Sequence, residues 1–187
     1  MGEAFFLKLL FYLFSMSLER FPELLSVVKE LLFDSLGYEI NNFILDDQGK
    51  EYSACEFQFS DLKVVFRAAK VTPTKVGQFV TLWKRNKNGV TQPFDATDPY
   101  DFAIIAVRSG ERFGLFVFSK QVLIQQGILT TQIRQGKRGF RIYPPWDLAP
   151  NKQAQKTQEW QLNYFFEINS DNPVDLERMK LLGSLNC

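Results

Sequence analysis

Two apolar runs decide the fold: FAIIAV at residues 102–107 and FGLFVF at residues 113–118. The first run is too short for a helix interior and too continuous for an edge strand. The sequence therefore predicts a central β-strand at 102–107, with the second run as its neighbour. A chain of 187 residues, 45% hydrophobic and 23% charged, predicts one folded domain around one core.

Upstream of these runs, the pattern predicts one helix and several strands. Apolar residues at helical spacing predict an amphipathic helix over 22–35, which ends at the glycine that follows. Alternating residues at 55–59 and the Val- and Phe-rich segment 63–70 predict a β-hairpin. Residues 77–85 predict a further strand, closed by the Asn-Gly turn after it.

Downstream, the same reasoning predicts a short helix at 121–126, a last strand at 139–143 and a long helix at 151–166. The predicted order is therefore helix, several strands, helix, strand, helix. This order is typical of an α/β protein with a mixed central β-sheet flanked by helices.

The residues that the chain lacks exclude whole classes of active site. It has no histidine, so it can form no Ser-His-Asp or Cys-His nucleophile arrangement and no HExxH zinc site. Its two cysteines, Cys55 and Cys187, have no metal-ligand spacing and fit a reducing compartment. We therefore expect a cytoplasmic protein.

The N-terminal segment is apolar from Ala4 to Met16. Lys8 interrupts it, and it is shorter than the ~20 apolar residues that a membrane span needs. We expect no membrane partner. Residues 1–21 are interpreted either as an N-terminal extension, with Met16 as an alternative start, or as a helix docked on the core.

Charge is sorted along the chain although the net charge is only +1. Residues 1–61 carry 11 acidic and 4 basic side chains, whereas residues 62–94 carry seven basic side chains and no acid. Residues 102–146 add seven basic side chains against one acid. Like charges on neighbouring strands repel, so this face is expected to meet either the acids of the first helix or a polyanion.

A phosphate backbone is the usual polyanion for such a face, with Gln, Asn and aromatic side chains among the cations to hydrogen-bond and stack. Trp83 lies in the first of these regions and Trp160 beside Lys156 in the predicted helix at 151–166, although a tryptophan in a strand or helix stripe is more often part of the core. The predicted nucleic-acid-binding residues are Arg67, Lys70, Lys75, Gln78, Lys84, Arg85, Lys137, Arg138 and Lys156.

Several longer motifs can be compared with known families. They are FRAAK at 66–70, TP at 72–73, GQFVTLWKR at 77–85, YPPWD at 143–147 and QAQKTQ at 153–158. Together they resemble the MepB family over residues 51–166, within a single domain taken as 1–187. The resemblance implies a restriction-endonuclease-like fold, with a mixed sheet flanked by helices. It implies no settled activity, and nucleic-acid binding is the leading expectation.

Nucleases of that fold hold Mg²⁺ with an acid on one strand and an acid-x-Lys triplet on the next, where alternate residues share a face. The triplet Asp61-Leu62-Lys63 falls at the tip of the predicted hairpin, where aspartate is a common turn residue. The alternative candidates are Glu56 and Asp101 as metal ligands, with Lys70 as the catalytic cation.

Three functions stay open at this point. The preferred one is a nucleic-acid-binding protein, for which the sequence implies no particular cofactor, and the second is a nuclease that uses the degenerate site with Mg²⁺. The third is a protein-interaction module whose basic face meets an acidic partner, such as the chain's own helix at 22–35. The sequence does not decide whether the protein is an enzyme.

Overall fold

The computed structural model describes residues 21–168, apart from the side chain of Leu36. The alternatives for the N-terminal segment therefore concern residues outside the described part, except for Phe21. Within residues 21–168, no helix is both long and apolar enough to cross a membrane.

The predicted first helix is present and changes its pitch along its length. Helix α1 spans Glu23–Val28 and continues as a π-helical turn at Lys29–Phe33 and a 3₁₀ turn at Asp34–Leu36. Gly37 ends the segment with φ of +73°, a left-handed conformation that favours glycine. Leu25, Val28 and Leu32 are buried, as the spacing predicts, whereas Leu31 is 44% exposed.

Eleven strands and two further helices follow in the described residues. The strands are β1 (Ile40–Leu45), β2 (Cys55–Phe59), β3 (Leu62–Ala68), β4 (Lys70–Thr72), β5 (Lys75–Thr81), β6 (Trp83–Arg85), β7 (Thr91–Pro93), β8 (Phe102–Ser109), β9 (Arg112–Ser119), β10 (Gly139–Ile142) and β11 (Phe165–Glu167). The helices are α2 (Lys120–Gln125) and α3 (Lys152–Leu162), and a short 3₁₀ turn lies at Lys50–Tyr52.

The large sheet has the strand order β1-β2-β3-β8-β9-β11. Strands β3 and β8 run parallel, and the other neighbours run antiparallel. The FAIIAV run forms the first part of β8 and is buried along its whole length, as predicted for a central strand. The fold is thus a mixed sheet with helices packed on it, which confirms the predicted fold class.

The large sheet separates two hydrophobic clusters, because alternate residues of a strand point to opposite faces. On one face, α1 packs against Phe57, Phe66 and Ile104. On the other face, Val65 and Ile105 pack against α2 and the smaller sheets. The chain's acidic helix and its smaller sheets therefore lie on opposite sides of the large sheet.

The predicted strand at 77–85 is two strands in two different sheets. Strand β5 lies between β10 and β4, whereas β6 pairs only with β7 among the described strands. The change occurs at Leu82, whose side chain is fully buried and whose amide donates to the Arg138 carbonyl at 2.8 Å. The chain therefore changes sheet at Leu82, and β6 and β7 form a separate two-stranded hairpin.

The predicted helix at 151–166 is wrong at its C-terminal end. Helix α3 ends at Leu162, and Phe165 begins strand β11, which pairs with β9. Phe165 packs in one hydrophobic cluster and Phe166 in the other. Only a strand places two consecutive side chains on opposite faces of the sheet, so burial of both rings selects the strand.

Candidate nucleic-acid interface

Two basic segments that are distant in the sequence meet beside the β6–β7 hairpin. Arg85 lies opposite Thr91 in the hairpin, and the Arg138 guanidinium donates to the Thr91 hydroxyl at 3.4 Å. The backbone hydrogen bond between Leu82 and Arg138 holds the two segments together. We name this surface the basic cluster; it consists of Lys84, Arg85, Lys137 and Arg138.

Most of the basic cluster carries uncompensated charge. The Lys84 ammonium forms an ion pair with Asp98, so this cation is already neutralised. The Arg85 guanidinium lies 5.3 Å from the centre of the Trp83 ring. Among residues 21–168, no carboxylate forms an ion pair with Arg85, Lys137 or Arg138, and all three side chains are exposed. The cluster can therefore attract an anion.

Lys70 and Lys75 lie apart from the basic cluster. Lys70 is opposite Phe79 in β5, and its ammonium is 3.0 Å from the Glu51 carboxylate. Phe79 lies in β5 of the three-stranded sheet, whereas Arg85 lies beyond Leu82, in the separate two-stranded sheet. Lys75 is exposed at the far end of the same small sheet. Lys70 and Lys75 are therefore carried by a different sheet from Arg85.

Two of the residues predicted to contact nucleic acid, Arg67 and Gln78, are buried and do not belong to the surface. Arg67 is 3% exposed, and its guanidinium donates to the Phe66 carbonyl at 2.8 Å and lies 4.0 Å from the Asp46 carboxylate. Burial lowers the pKa of Arg67, and Asp46 opposes this effect. Gln78 is 1% exposed and donates to the Arg108 carbonyl at 3.2 Å. Neither side chain is free for a phosphate.

The three residues of the predicted nuclease site are not brought together. The Asp101 carboxylate accepts a hydrogen bond from the Lys63 amide at 2.8 Å, so it caps the start of β3. Glu56 lies on β2, and Lys70 follows the opposite end of β3. Within residues 21–168, no three Asp, Glu, Cys or His side chains are grouped so that they could hold a metal ion. These residues do not fit the predicted magnesium site.

The Asp61-Leu62-Lys63 triplet lies at the hairpin tip between β2 and β3, as expected for a turn. The turn residue before it, Ser60, has φ of +50°. Glu56 instead lies near Arg67, on the adjacent strand. Its side chain is open to solvent, yet the surrounding protein displaces enough water to raise its pKa, against the opposing effect of Arg67.

The sequence did not predict a groove of about 430 Å³ between β10, helix α3 and the loop after α2. Its wall depends on Gln161, whose fully buried side chain donates to the Arg141 carbonyl and accepts from the Tyr143 amide, both at 2.9 Å. The Gln161 side chain thus satisfies backbone groups of Arg141 and Tyr143 on the open edge of β10, where a neighbouring strand would otherwise bind. The groove residues are Gln126, Ile128, Lys137, Gly139, Phe140, Arg141, Tyr143, Asn151, Gln153, Ala154, Thr157, Trp160 and Gln161.

The groove adjoins the basic cluster. Lys137 lines the groove, and the next residue, Arg138, reaches the β6–β7 hairpin. Lys156 is exposed on α3, three residues after Gln153 and four before Trp160, so it lies beside both on the helix surface. The glutamine-rich helix 153–161 was the one sequence signal that could have indicated this polar surface.

Comparison with known proteins gives the chain's family. A family model described as MepB-like matches residues 46–167, which is more than half of the chain. The chain belongs to the MepB-like family. The resemblance inferred from the sequence motifs is thereby confirmed.

The MepB-like chain is also similar to solved structures. A crystal structure of MepB shares 35% identity with it at a TM-score of 0.70, over 80% of this chain and 99% of that chain. A bacterial homing endonuclease, I-Ssp6803I, matches at 18% identity and a TM-score of 0.40, over 73% of this chain and 84% of that one. The search of curated proteins found no significant match.

Proposed function

We propose that this MepB-like protein binds nucleic acid by holding the phosphate backbone on the basic cluster. The observation that carries the proposal is the convergence of Arg85 with Lys137 and Arg138, from segments far apart in the chain. These cations are exposed and without ion pairs among residues 21–168. Phosphate oxygens accept strong charge-assisted hydrogen bonds from such groups.

The acidic first helix does not compete for this surface. Helix α1 packs on one face of the large sheet, whereas the strands that carry the basic cluster pack on the other. The helix at 22–35 is therefore not the acidic partner of the basic face, contrary to one of the sequence-based alternatives. The apolar stripe of α1 explains its position, since burial of Leu25, Val28 and Leu32 fixes the helix on the opposite core. An acidic protein partner is the remaining competitor.

The test is fluorescence-polarisation binding of single- and double-stranded DNA and RNA over a salt series. The double variant Arg85→Ala/Arg138→Ala is compared with Arg108→Ala/Arg112→Ala, which removes two exposed arginines, one near the end of β8 and one at the start of β9. We expect salt-sensitive binding that the first variant weakens and the second retains. Absence of binding at low salt, or equal loss in both variants, would contradict the proposal.

The same tubes, repeated with Mg²⁺ and run on a gel, test the nuclease alternative. Glu56, Asp101 and Lys70 do not form the predicted site, so no cleavage mechanism is derived through them. Intact oligonucleotide in the presence of Mg²⁺ is the outcome expected for a binding protein. Magnesium-dependent cleavage would replace the binding proposal with the nuclease function.

A further inference from the structure

The groove beside the basic cluster offers polar groups that the fold does not use. The Asn151 side-chain oxygen Oδ1 accepts from the Ala154 amide at 2.9 Å, and the Thr157 hydroxyl donates to the Gln153 carbonyl at 2.9 Å. By contrast, the side-chain amides of Gln126 and Gln153 have no hydrogen-bond partner within residues 21–168. Both line the groove, together with the ammonium of Lys137.

One wall of the groove is aromatic and fixed. Trp160 is half-buried, and its ring packs against Phe118 at 5.3 Å between ring centres and against Tyr164 at 6.5 Å. These contacts hold the ring in place while part of it lines the groove. A fixed aromatic ring with primary amides around it can stack on a planar heterocycle and hydrogen-bond to its edge.

The size and the charge of the groove limit its ligand. A volume of about 430 Å³ is within the range of small-molecule sites. Lys137 and Arg141 line it, and none of the acidic side chains within residues 21–168 does, so the groove favours an anion. The Arg141 guanidinium is held by the Gly77 carbonyl at 2.8 Å and the Thr72 hydroxyl at 2.9 Å, which leaves Lys137 as the mobile cation. A planar ring with an attached phosphate satisfies both requirements.

We propose that the groove holds one unpaired nucleotide of the bound nucleic acid. Its base lies between Trp160 and the amides of Gln126 and Gln153, and its phosphate contacts Lys137. The proposal rests on the nucleic-acid function proposed above, and it adds the class of substrate. A base paired within a duplex cannot enter such a groove, so the protein prefers single strands or unpaired positions.

The test uses two single-stranded oligonucleotides, one normal and one of the same length built only of abasic nucleotides, as both DNA and RNA. The phosphate backbone is the same, so any difference reports on the bases. Loss of one stacked base corresponds to roughly a 5- to 150-fold loss of affinity. We expect the parent protein to bind the normal oligonucleotide at least about fivefold more tightly.

Two pairs of variants locate the effect in the groove. Thr157→Phe fills the groove, and Gln155→Phe places the same ring on an exposed position of α3 that does not line it. Gln126→Ala/Gln153→Ala removes the free amides, with Gln155→Ala as its control. The groove variants should lose the preference for normal over abasic oligonucleotide, and the Gln155 variants should retain it.

The outcomes separate this inference from the function on which it rests. Equal, salt-sensitive binding of normal and abasic oligonucleotides overturns the nucleotide groove and leaves backbone binding intact. A base preference that survives in folded Thr157→Phe and Gln126→Ala/Gln153→Ala also overturns it. Absence of binding to every oligonucleotide at low salt overturns both proposals. Circular dichroism and urea unfolding confirm that each variant is folded.

Discussion

Arg67 and Arg138 carry the same guanidinium group in opposite environments. Arg67 is 3% exposed within β3, where its partners are the carbonyls of Phe66 and Cys55 and the Asp46 carboxylate. Arg138 is exposed just before β10, and its guanidinium makes one hydrogen bond among the described residues, to the Thr91 hydroxyl at 3.4 Å. The first cation is committed to the fold, whereas the second keeps its charge available for a ligand.

The difference comes from the position of each arginine in the sheets. Strand β3 lies between β2 and β8, and both of its faces are covered, so residues from Val64 to Ala68 are buried whatever their polarity. Arg138 precedes an outer strand of the three-stranded sheet, next to the separate β6–β7 hairpin. Basic residues count toward a binding surface only where the fold leaves them exposed.

The largest effect is expected for Arg67→Ala. Removal of the side chain leaves two buried carbonyls without their donor and opens a cavity in β3, so we expect a loss of about 3–5 kcal/mol in the free energy of unfolding. Arg138→Ala should change it by less than about 0.5 kcal/mol. Urea unfolding measures both.

Arg67→Met is a useful companion to that experiment. It keeps most of the volume and removes the desolvated charge, so it should cost less than Arg67→Ala. A parent-like stability of Arg67→Ala would contradict the buried position of this residue.

A second prediction compares two glutamines of α3. Gln161→Leu leaves the Arg141 carbonyl and the Tyr143 amide without their partner, so we expect a loss of about 2–3 kcal/mol in the free energy of unfolding. The control Gln155→Leu, at an exposed position of the same helix, should lose less than about 0.5 kcal/mol. If both variants unfold at the same urea concentration, the Gln161 amide does not hold α3 on β10.

Particular elements show how far the sequence predicts the fold. The buried strand at 102–107 and the helix from residue 22 are confirmed, because each depends on a local pattern of apolar residues. The break at Leu82 and the strand at 165–167 could not be predicted in this way. Both depend on which distant surface buries Leu82, Phe165 and Phe166, and one sequence carries no record of those contacts.

The candidate site was predictable only in part, for the same reason. The charge count assigned Arg85 and Arg138 to the same predicted binding surface. In the structure both lie next to Thr91, which is opposite Arg85 in the hairpin and accepts a hydrogen bond from Arg138. The charge count could not separate them from Arg67, since charge counted along a chain carries no information about the face of a strand. The groove was missed because its walls come from β10, α3 and a loop.

A third prediction concerns the salt dependence of nucleic-acid binding by the exposed cations. The double variant Arg85→Ala/Arg138→Ala should keep the stability of the parent protein. In Arg85→Ala/Arg138→Ala, the slope of log affinity against log salt should fall by about 2, since each lost phosphate contact reduces it by about 1. Arg67→Met, if folded, should keep the parent slope because Arg67 does not reach the surface. Polarisation titrations at five salt concentrations would measure the slope, and an unchanged slope in the double variant would exclude these arginines as phosphate contacts.

The smallest effect on stability is expected for Glu56→Gln. Glu56 has an exposed side chain but lies near the buried Arg67. Burial raises the pKa of its carboxyl above the ordinary value of 4.5, Arg67 opposes the rise, and Asp46 and Asp98 add to it. The folded protein therefore binds more protons than the unfolded chain just above pH 4.5, and its stability falls as the pH rises through that window. Glu56→Gln removes this titration, so its stability relative to the parent should increase between pH 4 and pH 7. Because solvent screens the exposed side chain, we expect this relative change in the free energy of unfolding to be less than about 1 kcal/mol. Urea unfolding at four pH values measures the difference, and the opposite trend would mean that attraction to Arg67 outweighs the cost of burial.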